Sequence, residues 1–280
     1  MIRWHAEALW EAVVPQLPGF TVEVLPEIDS TNTELMRRAR TGQTAPTLLV
    51  AERQTAGRGR MGRVWDSDTQ AFDALASLTF SLGLTLAPAD WSGLSLAVGL
   101  AVAEGLDPDG SAGVRLKWPN DLWLADDRKL GGILVETASV TPAQPGDVAP
   151  RYVVMGIGIN ITPRTLGDAG GLSNRPAALQ ELVPGIDAPA ALARVAAALV
   201  ATVQAFERSG FAPFQARFHA RDVLQGRAVR LSDGTDGVAQ GVTLQGALRV
   251  ATAQGLQTIT SSEISVRPAA PAAAPAPKGN

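Results

Sequence analysis

Two segments of this chain are apolar enough to run through the middle of a sheet, yet glycine interrupts both. Lys129-Leu130-Gly131-Gly132-Ile133-Leu134-Val135-Glu136 carries a glycine pair near its start, and Gly156-Ile157-Gly158-Ile159-Asn160 alternates glycine with isoleucine. Glycine in a strand packs nothing and loses more backbone entropy than any other residue. A strand keeps it where another backbone or a ligand must come close. In the second segment the two-residue period sends isoleucine to one face, for a core, and leaves the other face flat. A close-packed sheet interior accounts for either segment alone. Together they predict a sheet with a ligand laid across it. Lys129 would point into that site, and Asn160 would bond a base, ribose or phosphate at a strand end.

The strongest local signal is the loop from Gln54 to Trp65, which holds Gly57, Gly59 and Gly62 among Arg58, Arg60 and Arg63. The glycines permit close backbone approach, and three guanidiniums supply directed donors to carboxylate or phosphate oxygens. No Gly-Lys-Ser/Thr follows, so this is not a Walker A loop. The glycines match a dinucleotide fingerprint by count, but three arginines and Trp65 crowd the stretch. An anion-binding loop, a nucleic-acid contact and an ordinary turn all remain open on composition.

Of the 24 basic residues only three are lysine, at 117, 129 and 278. Lys117-Trp118-Pro119-Asn120-Asp121 places a cation, a large aromatic and a carboxylate within one turn. Pro119 restricts Trp118 to extended backbone. An edge strand with a Pro-Asn turn is one reading; a polyphosphate-binding turn with Asp121 set for a hydrogen bond or a metal contact is the other. Lys278 lies in PAAPAAAPAPKGN, a Pro/Ala tail expected to be disordered.

Charge and composition narrow the function. The formal net charge is −3, which argues against a protein that coats nucleic acid. There is no cysteine, so disulfides, thiolate metal sites and cysteine nucleophiles are excluded. With His5 and His219 the only imidazoles, a multi-histidine zinc centre is excluded too. The N-terminus has no signal-peptide pattern, and no run of about twenty apolar residues stands out. A cytoplasmic protein without membrane or nucleic-acid partners is expected.

The elements alternate. A short N-terminal helix, with Trp4, Leu9, Trp10 and Val13 as its apolar side, precedes a strand over 21–28. Asp29 to Asn32 offers caps to a helix. Strands are expected over 47–52, 75–84, 114–118, 122–124, 129–136 and 152–161. Helices are expected over 91–106, along the apolar face of Leu192, Val195, Leu199, Val203 and Phe206, and over 211–219. After about Val223 short alternating runs predict five strands of a small antiparallel barrel. The domains are thus residues 1–220, 221–267 and a tail at 268–280.

With these motifs in order the chain resembles a biotin–protein ligase, also called biotin–[acetyl-CoA-carboxylase] ligase. Ser30-Thr31-Asn32 resembles the family's Ser-Thr-Asn element that touches the biotin ring. Gln54 with Gly57 to Arg63 resembles its Gly-Arg-Gly-Arg loop, although Met61 stands where an arginine is common. The segments 117–121, 129–136 and 156–160 come next in the expected order. Ser262-Glu263-Ile264-Ser265-Val266-Arg267 resembles the end of the family's C-terminal domain, with Ser262 replacing glycine. The resemblance implies an α+β fold, a mixed-sheet catalytic domain of the biotin/lipoate ligase type with a small SH3-like C-terminal β-barrel. With Ser30 so near the start, it is to the ligase-only class, without a DNA-binding winged helix.

The same resemblance implies a two-step reaction and its residues. Biotin's carboxylate attacks the α-phosphorus of ATP to give biotinyl-5′-AMP and pyrophosphate. A lysine of a biotin carboxyl carrier protein or domain then takes the acyl group. Biotin is bound by Ser30, Thr31, Asn32, Gln54, Gly57, Arg58, Gly59, Arg60, Lys129, Gly131 and Gly132. ATP and the adenylate are bound by Arg58, Arg60, Arg63, Trp65, Lys117, Asn120, Asp121 and Asn160. Arg60, Lys129 and Lys117 are the catalytic cations, and Asp121 is the contact to Mg²⁺. Closure of the loop over 57–70 excludes water from the labile anhydride. A lipoate–protein ligase is the nearest rival and a nucleic-acid-binding protein the distant one.

Overall fold

The computed structural model describes residues 2–66, 75–140, 149–163, 176–260 and 266–268. The chain enters through α1 (Ala6–Val13) and β1 (Thr21–Ile28). Helix α2 (Thr31–Arg40) comes next, then β2 (Thr47–Gln54), β3 (Ser77–Leu86) and α3 (Leu94–Leu106). Four strands succeed them: β4 (Val114–Lys117), β5 (Asp121–Leu124), β6 (Lys129–Ser139) and β7 (Arg151–Asn160). These seven strands form one sheet in the order β1-β2-β3-β7-β6-β5-β4. The β1–β2 ladder is parallel and the others are antiparallel, so the sheet is mixed as expected.

Helices α3 and α4 (Ala188–Ser209) cover one face of the sheet, and α2 covers the other. Helix α3 is buried nearly all round, which its sequence allows because it carries almost no charge. Helix α4 is long and apolar enough to cross a membrane by length and composition. Its apolar stripe instead packs into the core through Leu192, Val195, Leu199, Val203 and Phe206. Each such buried side chain contributes ~1.5–3 kcal/mol. Asp187 caps the helix by accepting the Ala190 N–H at 2.8 Å, and Gly210 ends it at φ 64°. One apolar expectation fails. Trp10 is 44% exposed, its indole N–H held by the Phe20 carbonyl, whereas Trp4 is buried and donates to Glu52.

After α5 (Gln215–Arg221) the chain forms β8 (Ala228–Leu231), β9 (Asp236–Val242), β10 (Leu248–Thr252), β11 (Gly255–Ile259) and β12 (Val266–Pro268). They make a second antiparallel sheet in the order β11-β10-β9-β8-β12. The five strands match the sequence expectation; among the described residues no ladder joins β11 to β12 to close a barrel. The small sheet is tied to the large unit. The Trp118 indole N–H donates to the Gly246 carbonyl at 3.0 Å, and Arg227 grips Asp127 bidentately at 2.6 and 2.7 Å. Residues 67–70 of the expected closing loop, residues 262–265 and the tail with Lys278 lie outside the described residues.

Candidate functional site

The pocket forms where the glycine-bearing strands β6 and β7 meet the start of α2 and the arginine loop. It is a cavity of about 130 Å³. Its polar end is built from Ser30, Thr31, Asn32 and Gln54, and its cationic end from Arg58, Arg60, Arg63 and Lys129.

The polar end arises from the helix cap. Ser30 is extended and caps α2 by accepting the Thr33 N–H, which turns Thr31 and Asn32 inward as the first helical residues. All three are buried. Gln54, at the end of β2, accepts the Thr31 N–H at 2.8 Å, with Thr31 Oγ1 3.2 Å from the same oxygen. The Asn32 amide donates to the Leu134 carbonyl at 3.2 Å and to Glu136 at 2.9 Å. Ser81, fully buried on β3, lies 2.7 Å from both Thr31 Oγ1 and Asn32 Oδ1.

The strand glycines make room, but protein side chains take part of it. A Cβ at Gly156 would fall on the Asn32 amide, and one at Gly158 would fall inside the Trp65 indole. Glycine at 156 and 158 therefore admits Asn32 and Trp65 to the sheet surface. A ligand meets these side chains as well as the bare strand.

The arginine loop is a small hairpin. Gly57 and Trp65 pair through the Trp65 N–H at 2.9 Å, and Arg58 bridges Val64. A Cβ at Gly57 would strike the Trp65 carbonyl. Met61 takes a left-handed φ of 56° at the tip and is 61% exposed, so its side chain leaves the pocket. Trp65 lines the pocket, and its Nε1 is buried without a partner among the described residues, a donor held in reserve. Arg58 pairs with Glu136 at 3.1 Å. Arg60 donates to Asn120 Oδ1 at 3.3 Å. Burial draws the Arg60 guanidinium below the ordinary arginine value; Asp121 opposes this and Arg63 adds to it.

The turn after β4 supplies the carboxylate. Asp121 Oδ1 accepts from Lys129 at 2.7 Å, and Oδ2 lies 4.0 Å from Lys117. Asn120 is spent on structure, donating to the Ile133 carbonyl at 2.7 Å. Lys117 is buried, 4.7 Å over the Trp123 ring, and stands behind Asp121 rather than on the pocket wall. Asn160 is likewise set back and donates to the Ala177 carbonyl at 3.0 Å. Gly57 and Gly131 shape the site without lining it. Sequence reasoning missed Ser81, Thr79 and Phe80 on β3. The segment reads as an ordinary strand, and only the sheet order puts it beside β7 under the pocket.

The site thus offers a buried hydrogen-bonding end for a small neutral polar group and a cluster of cations for anions. One carboxylate, Asp121, is on its wall among the described residues. Such a set fits a divalent cation that arrives with a nucleotide's phosphates, and among the described residues no cluster would hold a metal by itself.

Known proteins share these features. Residues 24–160 match the biotin/lipoate A/B protein ligase family, and residues 225–267 match the biotin protein ligase C-terminal domain. The chain is 38% identical over 260 residues to the bifunctional ligase/repressor BirA of Escherichia coli, covering 92% of this chain and 77% of that protein. It is 32% identical over 248 residues to a biotin–[acetyl-CoA-carboxylase] ligase of Paracoccus denitrificans, covering 86% and 98%. A biotin protein ligase from Aquifex aeolicus, solved with biotin and ATP, superposes with a TM-score of 0.70 at 29% identity, over 89% of this chain and 99% of that one.

Proposed function

The chain belongs to the biotin protein ligases of the biotin/lipoate A/B protein ligase family, and from that premise we propose that it activates biotin with ATP and transfers it to a lysine of a biotin carboxyl carrier domain. The observation that carries this reading is the pocket's two-ended chemistry, buried uncharged hydrogen-bonding groups at one end and four cations at the other.

The reaction joins two anions, biotin's carboxylate and the α-phosphate, so repulsion must be offset and the charge developing on the phosphate stabilised. Arg60 and Lys129 take the carboxylate and the bridging region of the adenylate. Arg58 and Arg63 reach phosphate from the hairpin, with Gly59 letting backbone approach. Asp121 orients Lys129, and Lys117 behind it adds charge. Asp121 is the carboxylate that would hold a Mg²⁺ brought by the nucleotide, which would offset charge on the phosphates. Asn120 holds Arg60 in place, and Asn160 holds the loop at Ala177 against the end of β7. Ser30, Thr31 and Gln54 meet the ureido ring, whose buried polar groups would be costly unpaired. Trp65 closes the pocket over Gly158 and keeps water from the anhydride. The second step needs no covalent enzyme intermediate: the carrier amine attacks the acyl carbon, and AMP leaves with the bridging oxygen.

The test is direct. The chain is incubated with Mg²⁺-ATP, a carrier domain, and biotin or lipoate, and the carrier is weighed. A gain matching biotin, lost without ATP, is expected; a lipoyl gain or no gain overturns the proposal.

A further inference from the structure

We infer that Ser81 and Glu136, neither on the pocket wall, act as positioning residues that set the donor and acceptor polarity the pocket shows to the ureido ring. The inference deepens the biotin reading and rests on it.

The direction of each bond is fixed by counting hydrogens. The Leu134 carbonyl and the Glu136 carboxylate can only accept. They lie 3.2 and 2.9 Å from Asn32 Nδ2, so the amide's NH₂ must face them and its Oδ1 must face Ser81. Ser81 Oγ has one hydrogen and two partners at 2.7 Å, Asn32 Oδ1 and Thr31 Oγ1. Asn32 Oδ1 has none to give, so the Ser81 hydrogen goes there. The hydrogen in the other short contact then comes from the Thr31 hydroxyl, which gives it to Ser81 Oγ at 2.7 Å in preference to the more distant Gln54 Oε1 at 3.2 Å. Donors run one way, Thr31 to Ser81 to Asn32 to Glu136, with the carboxylate as the end that cannot turn round.

The consequence is felt at the pocket wall, where Thr31 sits. Its hydroxyl hydrogen points inward to Ser81, so Thr31 Oγ1 presents lone pairs. Ser30 is the opposite case: its Oγ accepts the Thr33 N–H at 3.4 Å and keeps its own hydrogen to give. Neighbouring residues on one helix cap therefore present a donor and an acceptor. That pair suits a cyclic urea, whose carbonyl accepts and whose N–H donates. It is mismatched to a ligand offering acceptors alone. Burial makes the polarity firm, because Ser81 is out of reach of water that would otherwise supply an alternative hydrogen.

The experiment measures KM for biotin and for ATP separately, with kcat, in the full chain. Ser81→Ala frees the Thr31 hydroxyl to turn and is expected to raise KM for biotin about three- to tenfold, the worth of one neutral hydrogen bond, leaving KM for ATP within about twofold. A general packing defect would move both. Both Glu136→Gln and Glu136→Met lose the ion pair to Arg58, but Gln keeps an acceptor for Asn32 and Met removes it, so KM for biotin is expected to rise about threefold or more further in Glu136→Met than in Glu136→Gln. These two variants carry the test if Ser81→Ala does not fold. An unchanged KM for biotin in Ser81→Ala, or equal losses in the two Glu136 variants, overturns the relay. Wild-type chain that consumes no biotin overturns the ligase reading beneath it, a separate result.

Discussion

Trp65 and Gly158 share one space. The indole ends the arginine hairpin and lies on the β7 backbone where any side chain would collide with it. The hairpin's seat on the sheet therefore depends on a missing Cβ 93 positions along the chain. Gly158→Ala should unseat Trp65 at a cost of ~1–3 kcal/mol, raising KM for biotin, loosening the hairpin and lowering the unfolding midpoint. Limited proteolysis around residues 57–65 with and without biotin and ATP reads it. Protection equal to wild type would contradict the placement.

Arg60 is the partly buried guanidinium of the hairpin, tied to Asn120. Arg60→Gly should let biotinyl-AMP escape before transfer, with free adenylate in solution rising about tenfold or more, the equivalent of a lost charge-assisted contact. Chromatographic assay of released biotinyl-AMP decides it; no increase over wild type removes Arg60 from that role.

Lys129 makes the 2.7 Å contact with Asp121 at the centre of the cationic end. Lys129→Ala removes the cation and leaves Asp121 facing incoming anions. Adenylate formation should fall by on the order of a hundredfold or more, as ~2–5 kcal/mol implies, with the circular dichroism spectrum unchanged. Normal pyrophosphate release by the variant would refute the assignment.

Asp222 joins α5 to the small sheet, and one of its oxygens is buried without a partner among the described residues. Desolvation pushes its pKa from 3.8 up to about 6, partly offset by the Leu224 N–H. An acid whose folded pKa is raised destabilises the fold once ionised. The penalty is absent below about pH 4, grows through the window and is complete above about pH 6. Asp222→Asn should therefore raise stability at pH 7 by about 1–3 kcal/mol and flatten the pH 4–6 dependence. Denaturant unfolding at pH 4.5 and 7 checks it; an equal effect at both would exclude the mechanism.

Local chemistry makes much of this architecture legible in the sequence. The helix starts carry their caps at Ser30 and Asp187, and the glycines of β6 and β7 mark a surface that something must approach closely. The motif residues Arg58, Arg60, Asp121 and Lys129 converge as expected. The part that is not legible depends on distant pairings. Ser81 meets Thr31 and Asn32 across 50 and 49 positions, and Asn32 meets Glu136 across 104. A serine in an apolar strand has no local signature of such a role. Motif spacing draws Lys117 and Asn160 to the pocket, and both share its sheet face, Asn160 two residues on from Gly158 and Lys117 paired across from Asp121; what the spacing does not show is that each lies beyond the wall, Asn160 held by the Ala177 carbonyl and Lys117 against the Trp123 ring. An aromatic at position 10 raises the apolar tally of its helix, but the Trp10 ring lies at the edge with only its N–H fastened.

The bond from Trp118 to Gly246 makes the small sheet hard to remove. A chain cut near residue 220 would leave a large indole, now fully buried, facing solvent two positions from Asn120 and three from Asp121. The Arg227 clamp on Asp127 would go with it. Anyone dividing this protein into fragments, or transplanting its C-terminal sheet between relatives, would be stripping the packing behind the turn that carries Asn120 and Asp121 to the pocket, and the graft would have to restore a carbonyl at that one point.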